Sequence, residues 1–237
     1  MFSGGTDDRT EDLLGSLGKL RLVVFDCDGT LIDSQQNIIA AVERVFHSID
    51  LTPPSVDLIR RQVGLSPDAA IAGMLPDEDP AVHRRVSDAF RKLRPQLQAE
   101  SRQLDPLYPG IREMIEQLVH PEVFLGIATG KGRTGLDDVL RRHELSGCFH
   151  TLQTGDRCRG KPDPDMMLRA IAETGLTAAE TVMIGDTAFD MQMARSAGTW
   201  AIGVSWGYHD VTDLRVGGAQ AIIDHPSELL PALRQLA

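Results

Sequence analysis

Cysteine is scarce in this chain, with three among 237 residues: Cys27, Cys148 and Cys158. So sparse and odd a set builds no disulfide framework and reads as the reduced thiols of a cytosolic protein. Basic charge is scarce too. Lys and Arg number 24 against 34 Asp and Glu, for a formal net charge of -10. That balance argues against nucleic acid as a general partner, because such binders need basic surface to release phosphate counterions. An anionic ligand would have to be caught by a local device. No apolar stretch approaches the ~20 residues that span a bilayer, so no membrane partner is expected. The opening MFSGGTDDRTEDLLGSLGKL lacks the basic start and continuous apolar run of a secretory signal. Residues 1–19 read as a flexible leader, and the chain as cytoplasmic.

What is present suffices for a globular core, since 42% of the residues are hydrophobic. Short β-rich runs alternate with helical patterns. The strand candidates are LRLVVFD (20–26), VFLGIAT (123–129), FHTLQTG (149–155), TVMIGD (181–186), TWAIGVSW (199–206) and a weaker QAIID (220–224). Most are nearly continuous apolar runs, as suits strands covered on both faces of a parallel sheet. Between them lie helix signals at Ile111, Met114, Ile115 and Leu118, and at Leu136, Val139 and Leu140. Another opens with Asp163 as N-cap and Pro164 at the first helical position. The alternation predicts an α/β fold, a doubly wound, Rossmann-like parallel sheet.

One interval breaks the rhythm. Almost a hundred residues separate the first two strands, far more than an ordinary crossover. Ile38, Ile39, Val42, Val45 and Phe46 form one helical stripe there, and Val82, Val86, Phe90, Leu93 and Leu97 another. Residues 36–104 are expected to be an inserted all-helical domain over the carboxyl edge of the sheet, with 20–35 and 105–237 as the discontinuous α/β domain.

Polar residues at strand ends meet at one edge of such a sheet. They are Asp26 and Asp28 after the first strand, Thr129 after the second, Lys161 beyond the third, and Asp186 with Asp190 after the fourth. Residues two apart in a strand face the same way, so Asp26 and Asp28 address one ligand while Cys27 points elsewhere. Two carboxylates so close repel each other unless a cation lies between them. An oxygen-only set from Asp26, Asp186 and Asp190 suits Mg2+, which keeps waters and a substrate phosphate in its shell. Thr129 and Gly130, where a strand passes into a helix, offer a hydroxyl and free N–H groups, and Lys161 adds a full charge. Together these make a phosphate site.

DCDGT (26–30), ATGK (128–131), GKPDP (160–164) and GDTAFD (185–190) resemble the four ordered motifs of the haloacid dehalogenase superfamily, over residues 20–225. The insertion after the first motif, with DGTLIDS and VSWGYH (204–209), resembles its phosphoglycolate phosphatase-like branch, subfamily IA. The resemblance implies that Asp26 is a nucleophile forming an aspartyl phosphate and that Asp28 is the general acid and base. It also implies that Thr129, Gly130 and Lys161 hold the phosphoryl group, and that Asp26, the Asp28 backbone, Asp186 and Asp190 serve Mg2+. An acid at position 28 implies a phosphatase on a small-molecule phosphate monoester, with phosphoglycolate leading, or a phosphomutase of the β-phosphoglucomutase type. Gly130 departs from the Asn or Ser often found there in this branch.

Other readings compete for the same residues. Gly130, Gly132 and Gly135 spell G-x-G-x-x-G after a strand, with Asp156 near the next strand's end, the form of a dinucleotide-binding oxidoreductase. That pattern falls on the second strand and leaves DCDGT, Lys161 and GDTAFD unexplained. A non-catalytic phosphate-binding scaffold would not need nucleophile, acid and clamp together. Cys148, His150 and Cys158 are too loosely spaced for a transition-metal site. Trp206 and Tyr208 either line a site rim or pack, and Arg60, Arg61 and Gln62 are candidate substrate-facing groups in the insertion.

Overall fold

Six apolar runs pair into one parallel sheet. The strands β1 (Leu22–Phe25), β2 (Phe124–Thr129), β3 (Thr151–Thr154), β4 (Thr181–Gly185), β5 (Trp200–Val204) and β6 (Ala221–Ile223) lie in the order β3-β2-β1-β4-β5-β6. Every pairing is parallel. This computed structural model describes residues 13–15, 17–100 and 105–236. The chain runs outward from β1 through β2 to β3, then returns to place β4 on the other flank of β1. That reversal opens a crevice at the carboxyl ends of β1 and β4, the usual ligand position in open α/β sheets. The expected doubly wound α/β fold is the fold observed.

Side-chain alternation explains why β1 is apolar throughout. Val23 and Phe25 enter one core with Ile115, Leu118, Leu136 and Leu233. Leu22 and Val24 enter the opposite core with Met167, Met183, Met191 and Leu214. A central strand covered on both faces has no position for a polar side chain until it ends, and Asp26 is the first residue past that end.

The sheet is flanked by α5 (Ile111–Leu118), α6 (Arg133–Arg142), α7 (Asp165–Thr174), α8 (Ala188–Ala197), α9 (Val211–Gly217) and α10 (Leu229–Leu236). Between β1 and β2 come α1 (Gln35–Ser48), α2 (Val56–Arg60), α3 (Pro67–Met74) and α4 (Pro80–Glu100). These four share a third hydrophobic cluster, which includes Val42, Val45, Phe46, Ile59, Ile71 and Val86.

Three expectations shift in detail. The strands are shorter than the apolar runs, β3 most of all, because Phe149 and His150 only lead into it. Helix α7 begins at Asp165, with Pro164 flanking it in αR geometry and Asp163 Oδ1 accepting from the Asp165 N–H at 3.0 Å. Residues 1–12 of the expected leader lie outside the described residues, but Leu13 and Leu17 after them are helical and buried in the main core. The spacing of Leu13, Leu17 and Leu20 is helical and carries that signal.

Phe46 is fully buried in the third cluster. Phe46→Ala is expected to cost about 3–5 kcal/mol, from lost transfer energy and the cavity left behind. Chemical denaturation of the two proteins measures it, and a difference under about 1 kcal/mol would contradict the packing described.

Candidate functional site

Asp26 sits immediately after β1, its backbone N–H donating to the Ile184 carbonyl at 2.9 Å, so the loop leaves the sheet in register with β4. Its side chain is buried, and Oδ1 accepts from the Cys27 N–H at 2.6 Å. Lys161 Nζ lies 2.9 Å from that Oδ1 and 2.6 Å from Asp190 Oδ1, with all three side chains almost wholly buried. Burial works against the ammonium, yet Asp190 and Asp26 outweigh it and hold Lys161 charged, its pKa raised.

Asp186 follows β4 and completes a cluster. Ligand atoms of Asp26, Asp186 and Asp190 lie within 4.8 Å of one another, and no other such group occurs among the described residues. Thr30 Oγ1 donates to Asp186 Oδ1 at 2.8 Å and the Tyr208 N–H donates to Oδ2 at 2.9 Å. Asp190 is held at the start of α8, where Oδ2 accepts from the Thr187 N–H at 3.0 Å and its hydroxyl at 2.6 Å. Burial pushes the Asp26 carboxyl up to about 7, with Lys161 pulling against it and Asp190 adding to it. Burial also raises Asp186 well above the ordinary range, helped by Asp26 and Asp190.

The cluster fits a divalent cation. Asp26 Oδ2 is buried with no hydrogen-bond partner, a costly state for a carboxylate oxygen unless something positive meets it. The donors are all oxygen, the preference of Mg2+ among biological cations.

Asp28 faces the same crevice but is tethered differently. Ser34 Oγ donates to its Oδ1 at 2.6 Å, and Lys131 Nζ lies 3.1 Å from the same oxygen. Burial opposes the Lys131 charge, and the Asp28 carboxylate overcomes it, raising the lysine's pKa. Thr129 is buried at the end of β2, its Oγ1 accepting from the Lys131 N–H at 3.2 Å. A cavity of about 240 Å3 joins Asp26, Asp28, Thr129 and Lys131 to the helices of residues 35–100.

A haloacid dehalogenase-like hydrolase family model matches residues 23–204. The chain belongs to that family. It is a hydrolase, phosphoglycolate phosphatase-like in sequence. It is 30% identical over 216 residues to a phosphoglycolate phosphatase of Pseudomonas putida, covering 89% of this chain and 79% of the relative. It is 33% identical over 218 residues to "Probable phosphatase IndB" of Dickeya dadantii, covering 91% and 94%. Among solved structures, a hydrolase from Pseudomonas syringae superposes with a TM-score of 0.78 at 27% identity, over 91% of this chain and 98% of that one. A haloacid dehalogenase-like hydrolase from Streptococcus pneumoniae, at 24% identity and a TM-score of 0.79, shares the fold over 90% and 98%.

Within this haloacid dehalogenase-like frame, Asp26, Asp28, Thr129, Gly130, Lys161, Asp186 and Asp190 all reach one sheet edge. Gly130 has a physical reason to be glycine. A Cβ there would collide with the backbone carbonyls of Gly64 and Leu65, so the loop after α2 rests directly on it. Gly29, at φ 86°, lets the chain turn beneath Asp186 and Tyr208, whose atoms leave no space for a Cβ.

Lys131 and Ser34 were not singled out by sequence reasoning as site residues, and Tyr208 was read as either lining a rim or packing. Lys131 carried a signal, standing two residues after Thr129 in ATGK. Ser34 stood at the end of the DGTLIDS resemblance, but its role did not show, because its partner depends on the tertiary fold. Tyr208 supports the site rather than forming a rim, its hydroxyl 3.0 Å from Ser34 Oγ, while Trp206 Nε1 donates to the Thr30 carbonyl at 3.1 Å.

The competing motifs dissolve into local structure. Asp156, the would-be ribose acid, accepts from the Arg133 N–H at 3.1 Å and from Thr154 Oγ1 at 2.7 Å, which pins the start of α6. Cys158 Sγ donates to Gln153 Oε1, and His150 Nδ1 accepts from the Leu125 N–H, so neither joins a metal cluster. Arg61 turns outward to Asp213 at 3.5 Å, whereas Gln62 lines the cavity.

Lys161→Met leaves Asp26 and Asp190 buried without their cation, and breaking such a pair costs about 3–5 kcal/mol. The expected result is a metal-free variant destabilised by that amount, with part of the loss recovered when a divalent cation is added. Thermal denaturation with and without the cation reads both effects, and an unaltered melting curve would remove Lys161 from the cluster's energetics.

Proposed function

We propose that this hydrolase is a Mg2+-dependent phosphatase acting on a small phosphate monoester, with the phosphoryl group carried transiently on Asp26. The supporting observation is the unpartnered, buried Oδ2 of Asp26, set among acidic neighbours and opening on the same cavity as Asp28 and Thr129. Asp26, Asp186, Asp190 and the Asp28 backbone carbonyl would hold the cation. When bound, it would supply the positive charge that lets an anionic phosphate approach a carboxylate.

In the first step an Asp26 carboxylate oxygen attacks phosphorus as the ester O–P bond breaks, and the leaving alkoxide takes a proton from Asp28. In the second, Asp28 takes a proton from water as the water oxygen attacks the aspartyl phosphate, releasing phosphate and restoring Asp26. Ser34 and Lys131 occupy Asp28 Oδ1, so Oδ2 is the oxygen for proton transfer. Thr129, the Gly130 N–H and Lys161 hold the phosphoryl oxygens. Residues 36–104 act as a helical cap, excluding water from the first step. The site asks for no membrane, nucleic acid or second macromolecule, and no described helix is long and apolar enough to cross a membrane. A cytoplasmic metabolite fits that reading.

The test is phosphate release from 2-phosphoglycolate, which the relatives' names put first, alongside sugar phosphates, nucleotides and 4-nitrophenyl phosphate, with Mg2+ and with EDTA. Release that needs Mg2+ supports the proposal, and release unaffected by EDTA would overturn the metal assignment. Asp26→Asn is expected to reduce kcat by at least about a thousandfold, as loss of a nucleophile does, with the fold retained. Asp28→Asn should slow both formation and breakdown of the intermediate, by roughly 10²–10⁴-fold.

A pH dependence also follows for cation binding. A carboxyl raised to about 7 is largely protonated at pH 6, and a metal must displace that proton. Mg2+ affinity should therefore rise with pH through about 7, by up to about tenfold per pH unit below it for one proton released. Calorimetric titrations at pH 6 and pH 8 measure this, and equal affinities would show Asp26 already ionised in the metal-free chain.

A further inference from the structure

We propose that the leaving group this enzyme accepts is uncharged and largely apolar: a short branched alkyl or single-ring phosphate ester, not an ester bearing a carboxylate. The inference rests on the phosphatase reading and narrows its substrate.

The ester oxygen must lie beside Asp28, and the cavity of about 240 Å3 is the space that also contains Asp26 and Thr129. Its floor is polar and its roof is not. The roof is built from Ile38 and Val42 of α1, Ile59 of α2, Ile71 and Met74 of α3, and Phe90 of α4. Among the described residues, Gln62 is the single polar side chain the helical segment adds, and no Lys, Arg or His of that segment lines the chamber.

A leaving group with its own carboxylate would need a cation, because an unpaired charge in apolar surroundings is strongly disfavoured. The lysine on the floor, Lys131, lies 3.1 Å from Asp28 Oδ1. A second carboxylate would have to share that ammonium with Asp28 and would meet a like charge at the proton-transfer residue. A hydrocarbon group meets no such opposition, since apolar cavities stay dry and take up apolar molecules.

Arginines do approach this side of the molecule, but elsewhere. Arg44, Arg91 and Arg133 line a larger cleft of about 1380 Å3 between the helical segment and α6. That cleft shares Ile38, Ile71, Phe90, Gly130 and Lys131 with the chamber but is not lined by Asp26, Asp28 or Thr129, so its arginines stand beyond the apolar roof and not around the reacting atoms.

The test compares kcat/KM with Mg2+ for esters matched in leaving-group basicity, benzyl phosphate against 4-carboxybenzyl phosphate, together with 3-methylbutyl phosphate against 2-phosphoglycolate. The expected preference is at least about tenfold for the neutral member of each pair, the scale on which small changes in an apolar pocket discriminate. Ala70→Lys places an ammonium on the roof and should narrow or invert both ratios. Ala41→Lys, from another helix lining the same chamber, provides the measurement if the first variant does not fold. Hydrolysis of 4-nitrophenyl phosphate with equal or better turnover of the carboxylated esters overturns the leaving-group inference and leaves the phosphatase standing. Silence on every ester, 4-nitrophenyl phosphate included, overturns the phosphatase reading and the inference with it.

Discussion

Three buried carboxylates, Asp26, Asp186 and Asp190, repel one another at the carboxyl edge of the sheet, and the surrounding structure exists to tolerate them. Lys161 neutralises part of the charge. Hydrogen bonds from Thr30, Tyr208 and Thr187 hold Asp186 and Asp190 at fixed angles. Each donor comes from a different loop, so the cluster forms only where those loops converge. The strand order makes them converge, because Asp26 and Asp186 end the adjacent strands β1 and β4 at the point where the order reverses. The fold is a device for concentrating acids that would otherwise separate; burial first, and the neighbouring acids second, push the pKa of Asp26 and Asp186 up, and a cation would oppose both effects.

The helical segment supplies the contrasting surface. Its cluster around Val45 and Phe46 is separate from the two cores of the sheet, so it needs the sheet for position more than for packing. Where the two meet beside the site, one contact is backbone to backbone. The loop at Gly64 and Leu65 rests on Gly130, whose lack of a Cβ keeps that approach close, and Gly64, at φ 94°, faces the Thr187 side chain. An apolar roof over ionised groups lowers the local dielectric, which in the proposed reaction would strengthen the attraction of Lys161 for charge on a transferring phosphoryl group.

Much of this was legible in the sequence, for physical reasons that differ by residue. The central strands announce themselves because a strand buried on both faces is apolar along its length, and the acids were legible because each follows such a run. The helical insertion was visible in the period of Ile38, Val42 and Val45. What stayed hidden depends on distance in the chain. Ser34 meets Tyr208 across 174 residues, and although both lie in stretches that resemble the branch, nothing local pairs them. Asp156 reads as a ribose acid until its partner Arg133 is placed. Leu13 and Leu17 were masked by the Gly and Asp around them, although their helical spacing belonged to the core.

Ser34 has a further consequence for how the two surfaces work together. It is buried, it flanks the first turn of α1, and its hydroxyl holds Asp28. The residue that holds Asp28 is therefore the one from which the helical segment departs. Lys131 holds the same oxygen from the other side and stands beside Gly130, against which the roof loop is packed. Asp28 is thus gripped at both margins of the helical segment, by its point of departure and by its point of contact. The orientation of Asp28 is tied to where the helical segment sits on the sheet. In the proposed phosphatase, a helical segment seated on the sheet would therefore both shield the chamber from bulk water and hold Asp28 in line for proton transfer.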